Sequence, residues 1–391
     1  MEKRFVYADN AATTAVYPEV AQEMLPYLTE HFGNPSSLHS MGMEAKKALD
    51  GARKRIADVL GAMPEEIFFT SCGTEADNWA IRGASAVYAK VNKIETPHII
   101  TTKIEHHAVL HTFKALENAG YETTYVDVDE YGRVSPEAIV SAIRDNTCLV
   151  AVMYANNEVG TVQPIADIVK AVKAVRNIPV LTDAVQAVGH IPVNVKECGA
   201  DLLALSGHKF HAPKGVGCLY VKKGVRLKNL IEGGGQERNK RAGTEALPSI
   251  MAMAKALEIS VEKMNDNASV IAKRNRLIEG ITSLPDTLLT GHPTDRLPGN
   301  ASFVFKGIEG ESLLFLLSAA GICSSTGSAC SSASLEPSHV LTSMGLPIEI
   351  CHGSLRLSIS HETTDEDIEY IIENVKRVVE RLRSMSPIYN S

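Results

Sequence analysis

The chain reads as an α/β protein: a large domain with a mostly parallel central sheet, plus a smaller α+β domain. Three observations lead there. Short apolar runs alternate with helical patterns through the first two-thirds of the sequence, the alternation that builds a parallel sheet covered by helices. The pattern changes after about residue 260, and 391 residues exceed what one ordinary core encloses. The expected division is a large domain over 16–259 and a small one assembled from 1–15 and 260–391.

Taken in order, the strand-like runs are Ile67 to Thr70, His98 to Thr102, Thr123 to Val126, Cys148 to Tyr154, Val180 to Asp183 and Leu202 to Ser206. Between them Ala45, Leu49, Ala52, Ile56, Val59 and Leu60 recur at helical spacing and stop at Gly61, and Ile165 to Val175 forms a second amphipathic helix. Beyond residue 260 come a long helix, the strand Ala301 to Phe305, a helix from Gly310, the strand Ser354 to Ser358 and a closing helix. That last helix is marked by a capping box at Thr363-x-x-Glu366 and an apolar face of Ile368, Ile371, Ile372, Val375, Val379 and Leu382. Ligands of such sheets sit at the carboxyl ends of strands, where Thr70 to Thr74, Asn157, Asp183 and Lys209 all fall.

Composition excludes several classes. Net charge is −7 with pI near 6.0, and charges of both signs are interleaved, so nothing argues for nucleic acid or an anionic membrane surface. The longest apolar stretch, Leu313 to Cys323, is too short to span a bilayer and is broken by Ser318 and Gly321. The amino terminus reaches Asp9 before a signal-type apolar region forms, so a cytoplasmic location is expected. Seven cysteines, an odd number without C-x-x-C, point to reduced thiols.

The chemistry starts at Ser206-Gly207-His208-Lys209, which puts a lysine where the apolar run Asp201 to Leu205 ends. Upstream, the run Val180 to Asp183 ends in an acid, and Gln186 follows three residues later. Pyridoxal 5'-phosphate (PLP) asks for this trio: an amine to hold it as a Schiff base, an anion to keep its pyridine nitrogen protonated, and a donor beside its phenolic oxygen. Singly, Lys209 reads more simply as a surface lysine and Asp183 as a helix cap. The combination carries the inference.

Gly73 and Thr74 open a helix after a strand, so free amides and a hydroxyl would meet a phosphate there, or serve as an ordinary N-cap. Ser206 and His208 could add donors to the same anion. The glycine-rich basic loop Gly233 to Thr244 is a weaker signal, since such loops are often only turns. His106 directly follows a strand, where an imidazole can stack on a pyridine ring and move protons. His107 and His111, four apart on one helical face, suggest zinc, but spacing supplies no further ligand. Arg356 could clamp a substrate carboxylate or stand exposed on its strand, and Asn157 could bond that carboxylate, bond a cofactor oxygen, or make a turn. Cys330 lies in a run of small polar residues from Ser324 to Pro337, expected to be mobile and exposed, which makes its thiol a candidate nucleophile. Cys148 and Cys218, in apolar strands, read as packing residues; Cys72, Cys323 and Cys351 stay undecided, with packing favoured.

Asp9 to Thr13, Phe32 to His39, Thr70-Ser-Cys-Gly-Thr-Glu75, Asn156-Asn-Glu-Val-Gly160, Thr182 to Gly189, Ser206-Gly-His-Lys209, Arg241 to Glu245 and Ser328-Ala-Cys-Ser-Ser-Ala-Ser-Leu-Glu-Pro337 together resemble the PLP-dependent cysteine desulfurases of the NifS/IscS type, within the class V aminotransferase group. The resemblance runs nearly end to end, and the Ser71 to Glu75 and Thr182 to Gln186 segments look nearer the NifS form. It implies a fold-type I homodimer with its site at the subunit interface. It implies that Lys209 holds the cofactor and moves the Cα proton, His106 stacks on the ring, Asp183 pairs with the ring nitrogen and Gln186 bonds the phenolic oxygen. Gly73, Thr74, Ser206 and His208 would hold the phosphate, with Thr244 reaching in from the partner subunit. Asn157 and Arg356 would hold the carboxylate of L-cysteine, and Cys330 would take its sulfur as a persulfide, leaving L-alanine. The implied partners are an iron–sulfur scaffold protein or another sulfur acceptor; no structural metal site is implied, though Cys330 could briefly ligate a cluster. A selenocysteine lyase or another class V enzyme would use the same trio with Cys330 incidental, and a scaffold that kept only the fold would not need the trio.

Overall fold

The structure is a computed structural model and describes residues 4–327, 337–386 and 389. Its strands are β1 (Val6–Tyr7), β2 (Ile67–Thr70), β3 (His98–Thr102), β4 (Glu122–Val126), β5 (Thr147–Ala151), β6 (Val180–Asp183), β7 (Leu202–Ser206), β8 (Gly217–Val221), β9 (Thr287–Thr290), β10 (Asn300–Phe305), β11 (Ile322–Cys323) and β12 (Ser354–Ser358). Seven of these form the central sheet in the order β2-β8-β7-β6-β5-β3-β4. Pairing is parallel from β7 to β4, while β8 runs antiparallel to both β2 and β7. Two reversals cancel, so β2 points the same way as β5, β6 and β7, and their carboxyl ends share one edge of the sheet.

Why these runs become central strands is plain from burial: β2, β3 and β5 to β8 are buried at every position, as strands covered on both faces must be. The helices Ser40–Leu60 and Leu247–Lys263 bury Leu49, Ile56, Leu60, Ile250 and Leu257 on one face. The helix Gly73–Val91 covers the other face with Trp79, Ala80 and Ile81. The first of these helices stops at Gly61, whose φ of 70° is the left-handed conformation a side chain would oppose.

A second core lies around the antiparallel sheet β12-β10-β9 and the short parallel pair β1-β11. Phe303 and Phe305 of β10 pack there against Leu313 and Leu317 and against Ile368, Ile371, Val375 and Val379 of the closing helix. A third cluster joins the two cores through Ile104, Met153 and Val159 on one side and Val304, Val340, Leu341 and Met344 on the other.

Two expectations need correction. The capping box of the closing helix is Thr364 with Asp367, one residue later than expected: Thr364 Oγ1 accepts from the Asp367 amide at 3.1 Å, and Asp367 accepts from the Thr364 amide at 3.0 Å. Thr363 is instead buried and caps the preceding turn, accepting from the Ser360 amide. The division expected at residue 260 cuts through the helix Leu247–Lys263, which runs unbroken because its buried face packs on the large core. Among the described residues no helix is long and apolar enough to cross a membrane.

Candidate active site

The shared edge of β2, β5, β6 and β7 opens into a cavity of about 380 Å³. Gly73, Thr74, His106, Asn157, Asp183, Gln186, Ser206, His208, Lys209 and Arg356 line it, so the sheet gathers residues spread over nearly the whole sequence. Two expected residues are not among the residues seen to line it. Thr244 is exposed on its loop and does not line this cavity, and Cys330 lies outside the described residues.

Lys209 follows β7 through the single turn Gly207–Lys209. Its Nζ donates to the carbonyls of Ala11 and Ala12 at 2.7 and 2.8 Å, and its own carbonyl accepts from His190 Nε2 at 2.9 Å. The lysine is therefore half-buried at the cavity and held at both ends, not a surface charge. Gln186 is buried beside it and donates to the Ala11 carbonyl at 2.9 Å.

Asp183 ends β6, buried, with one carboxylate oxygen accepting from the Val185 amide at 2.9 Å. Burial pushes it up to about 6, against the pull of that amide and of Lys209. Two further acids sit close by. Asp77 is buried on the helix Gly73–Val91 and held well above the usual carboxylate range by burial and by Asp183. Glu105 rises to about 8 through burial, although Thr102 and the Met153 amide donate to it. Three buried acids are crowded here, which disfavours charge on all of them at once, and a cationic ring nitrogen is the partner that would settle a single negative charge on Asp183.

His106 caps the helix His107–Glu117, its Nδ1 accepting the Ala108 amide at 3.1 Å. Burial, aided by Lys209 and three neighbouring histidines, lowers it to about 4, so the ring is neutral with its proton on Nε2. His208 is likewise lowered to about 4, by burial and then by Lys209 and Lys214, and shares a hydrogen bond with Thr13 Oγ1 at 3.1 Å.

The phosphate end fits too. The helix Gly73–Val91 begins without a side-chain cap, leaving its first amides open beside Thr74, Ser206 and His208. A Cβ at Gly73 would come within 2.7 Å of Val185, so the approach needs glycine. Burial would raise the acid in that first turn, Glu75, yet Arg241 and Ser71 hold it below its usual range; Arg241 donates twice, at 2.7 and 3.0 Å. The basic loop thus neutralises an acid that would repel a phosphate. An amine, a buried acid, an amide side chain and an anion cradle around one cavity suit a phosphorylated pyridine aldehyde.

Arg356 comes from β12, buried, contrary to the exposed-strand alternative. It donates to Asp9 Oδ1 at 2.8 Å and to the Asn157 carbonyl at 2.9 Å, and its buried Nε has no partner among the described residues. His107 and His111 stack at 4.8 Å between centroids, and among the described residues no three His, Cys, Asp or Glu are placed to hold a metal ion. Cys148, Cys218 and Cys351 are buried, their thiols pushed up to about 11, about 12 and about 11, chiefly by burial. Cys72 lines the cavity.

Sequence reasoning gave no role to Asp9, Glu105 or Glu158, which stood only inside quoted motifs, and did not single out Asp77 or His339. An acid on the apolar face of a helix, as at Asp77, was a usable signal; nothing local distinguishes Asp9 or His339.

Comparison with known proteins agrees with this geometry. The family model for aminotransferase class V matches residues 6–371. A cysteine desulfurase IscS of Methanosarcina thermophila is 53% identical over 388 residues, covering 99% of this chain and 95% of the relative. One from Clostridium botulinum is 54% identical over 389 residues, covering 98% and 96%. A solved NifS-like protein superposes with a TM-score of 0.90 at 40% identity, covering 97% of this chain and all of its own. The matched span contains every strand and cavity residue described above, and the chain belongs to the class V aminotransferase family.

Proposed function

We propose that this chain is a PLP-dependent cysteine desulfurase, converting L-cysteine and the Cys330 thiol into L-alanine and a Cys330 persulfide. The observation that carries this reading is the position of Gly327: three residues before Cys330, it lines the same cavity as Lys209 and Arg356. When bound, PLP supplies an electron sink for negative charge at the substrate carbons.

The chain's own residues do the rest. Lys209 would hold the cofactor and carry a proton to and from the substrate Cα, while Asp183 and Gln186 would hold the pyridine nitrogen and phenolic oxygen. His106, neutral, would pack on the ring, and Gly73, Thr74, Ser206 and His208 would hold the phosphate, with Thr244 supplied by a partner subunit. Arg356 and Asn157 take the substrate carboxylate. The Cys330 sulfur attacks the substrate sulfur, the carbon–sulfur bond breaks, and its electron pair stays on what becomes the methyl group of alanine.

A homodimer suits the surface: Leu25, Leu28, Phe32, Leu38 and Met43 are all more than half exposed within one short segment, an apolar patch that a second copy would cover. The persulfide would then serve a cytoplasmic iron–sulfur scaffold or another acceptor. Cys330→Ala should keep the visible cofactor absorbance and make neither alanine nor protein persulfide from L-cysteine. Alanine release at the parent rate would sink the assignment.

A further inference from the structure

Glu158 is a buried acid that the reaction above leaves without a task. It sits in a turn shaped by Asn156, which is fully buried. Asn156 Oδ1 accepts the amides of Glu158 and Val159 at 2.8 and 3.0 Å, and its Nδ2 donates to the Ile104 carbonyl at 2.9 Å. Asn300 Nδ2 adds a bond to the Glu158 carbonyl at 3.3 Å. The backbone under the carboxyl group is therefore fixed.

That carboxyl group touches both ends of the segment 328–336. On one side Ser338 Oγ donates to Glu158 Oε2, while the same hydroxyl accepts the Val340 and Leu341 amides at 3.2 and 3.3 Å and so starts the helix His339–Ser343. On the other side Gly327 lies so close that a Cβ there would overlap Glu158 Oε2. Two more contacts hold the same ends. Ser325 and Arg356 exchange backbone hydrogen bonds at 2.6 and 3.2 Å, and His339 Nε2 donates to the Glu105 carbonyl at 3.0 Å. Glu158, Gly327, His339 and Arg356 all line the cavity. Cys330 follows Gly327 by three residues in sequence.

We propose that Glu158 is a positioning residue for sulfur transfer: by holding Ser338 and seating Gly327, it fixes both ends of the Cys330 segment at the cavity rim. This rests on the desulfurase reading. A tether with fixed ends keeps its nucleophile at high local concentration, and releasing one end lowers that concentration without touching the cofactor. Glu158 itself needs only an acceptor oxygen for Ser338. Burial pushes its carboxyl up, against the pull of Ser338, His339 and Arg356.

The test uses the holoenzyme in single turnover, with three readouts: the cofactor absorbance, its change on adding L-cysteine, and the rate at which Cys330 gains one sulfur by mass spectrometry. For Glu158→Ala the first two should match the parent, while persulfide formation slows by about ten- to a hundredfold, the cost of a misplaced reacting group. Glu158→Gln, which keeps an acceptor, should recover most of the rate. Gly327→Ala, which crowds the same oxygen from the other end, should slow it as Glu158→Ala does, and keeps the question open to test if that variant fails to fold. An unchanged persulfide rate in the alanine variants would overturn the proposal, as would loss of the L-cysteine absorbance change, which would place Glu158 in substrate binding. If Cys330→Ala itself transfers sulfur normally, the underlying reading falls; if only the Glu158 and Gly327 variants are unimpaired, the positioning role alone falls.

Discussion

The floor of the cavity and its rim are built by different means. On the floor, Asp183, Gln186 and Lys209 come from two adjacent parallel strands and the turns that follow them, within 27 residues of sequence. At the rim, Arg356, Gly327 and Ser338 arrive from the far end of the chain and reach Asp9, Asn157 and Glu158 across sequence separations of 347, 199 and, for Ser338 to Glu158, 180 residues. The floor is a product of strand order, so its geometry comes with the sheet. The rim is a set of buried polar contacts between two cores, and each contact must be satisfied by a partner the local sequence does not mention.

This contrast can be broken in order of effect. The largest loss belongs to the floor: Lys209→Ala should lower kcat by about 10³- to 10⁴-fold, because it removes the group proposed to move the Cα proton. Retention of a tenth of parent turnover would show that the floor does not run the reaction. A smaller loss belongs to the rim. Arg356→Ala should raise KM for L-cysteine by about ten- to a hundredfold, the worth of a charge-assisted contact, with less change in kcat. An equal fall in kcat at unchanged KM would mean that Arg356 serves the transition state and not the substrate carboxylate.

The smallest effects are on stability against pH, and they separate the histidines of the floor from its acids. His208 is lowered from 6.5 to about 4 by burial, so between those values the unfolded chain binds the extra proton. Its contribution is complete above about 6.5 and is lost as pH falls through about 4. Glu105 is raised from 4.5 to about 8, so its contribution is complete below about 4.5 and is lost as pH rises through about 8. In urea unfolding of the cofactor-free protein, His208→Asn should flatten the rise in stability between about pH 4 and 6.5, and Glu105→Gln the fall between about pH 4.5 and 8. Profiles parallel to the parent would show that these groups are not desolvated in the folded state.

Much of the floor was legible because burial on both faces makes central strands into uninterrupted apolar runs: β2, β3, β6 and β7 lie where the runs predict. The reversed strand β8, Gly217–Val221, is just as apolar; it was read only as the apolar strand around Cys218 and left out of the alternating series, since alternation with helices announces parallel strands and β8 follows β7 directly. Thr287–Thr290 was missed for the opposite reason: β9 is an edge strand, half-exposed, with no run to notice. The capping box was misplaced by one residue because Thr363 and Thr364 are chemically alike, and only their hydrogen bonds distinguish them.

By itself the sequence determined the class of the fold, the strand-end placement of Lys209, Asp183 and His106, and the family, because periodicity and strand-end chemistry are local properties of the chain. Only the tertiary structure decided that Arg356 is buried with its Nε unpaired among the described residues, that Asp77 and Glu105 crowd Asp183, and that Glu158 reaches the residues flanking the Cys330 segment. Those facts depend on which buried polar groups find partners across the two cores, and that is settled only when the cores are packed together.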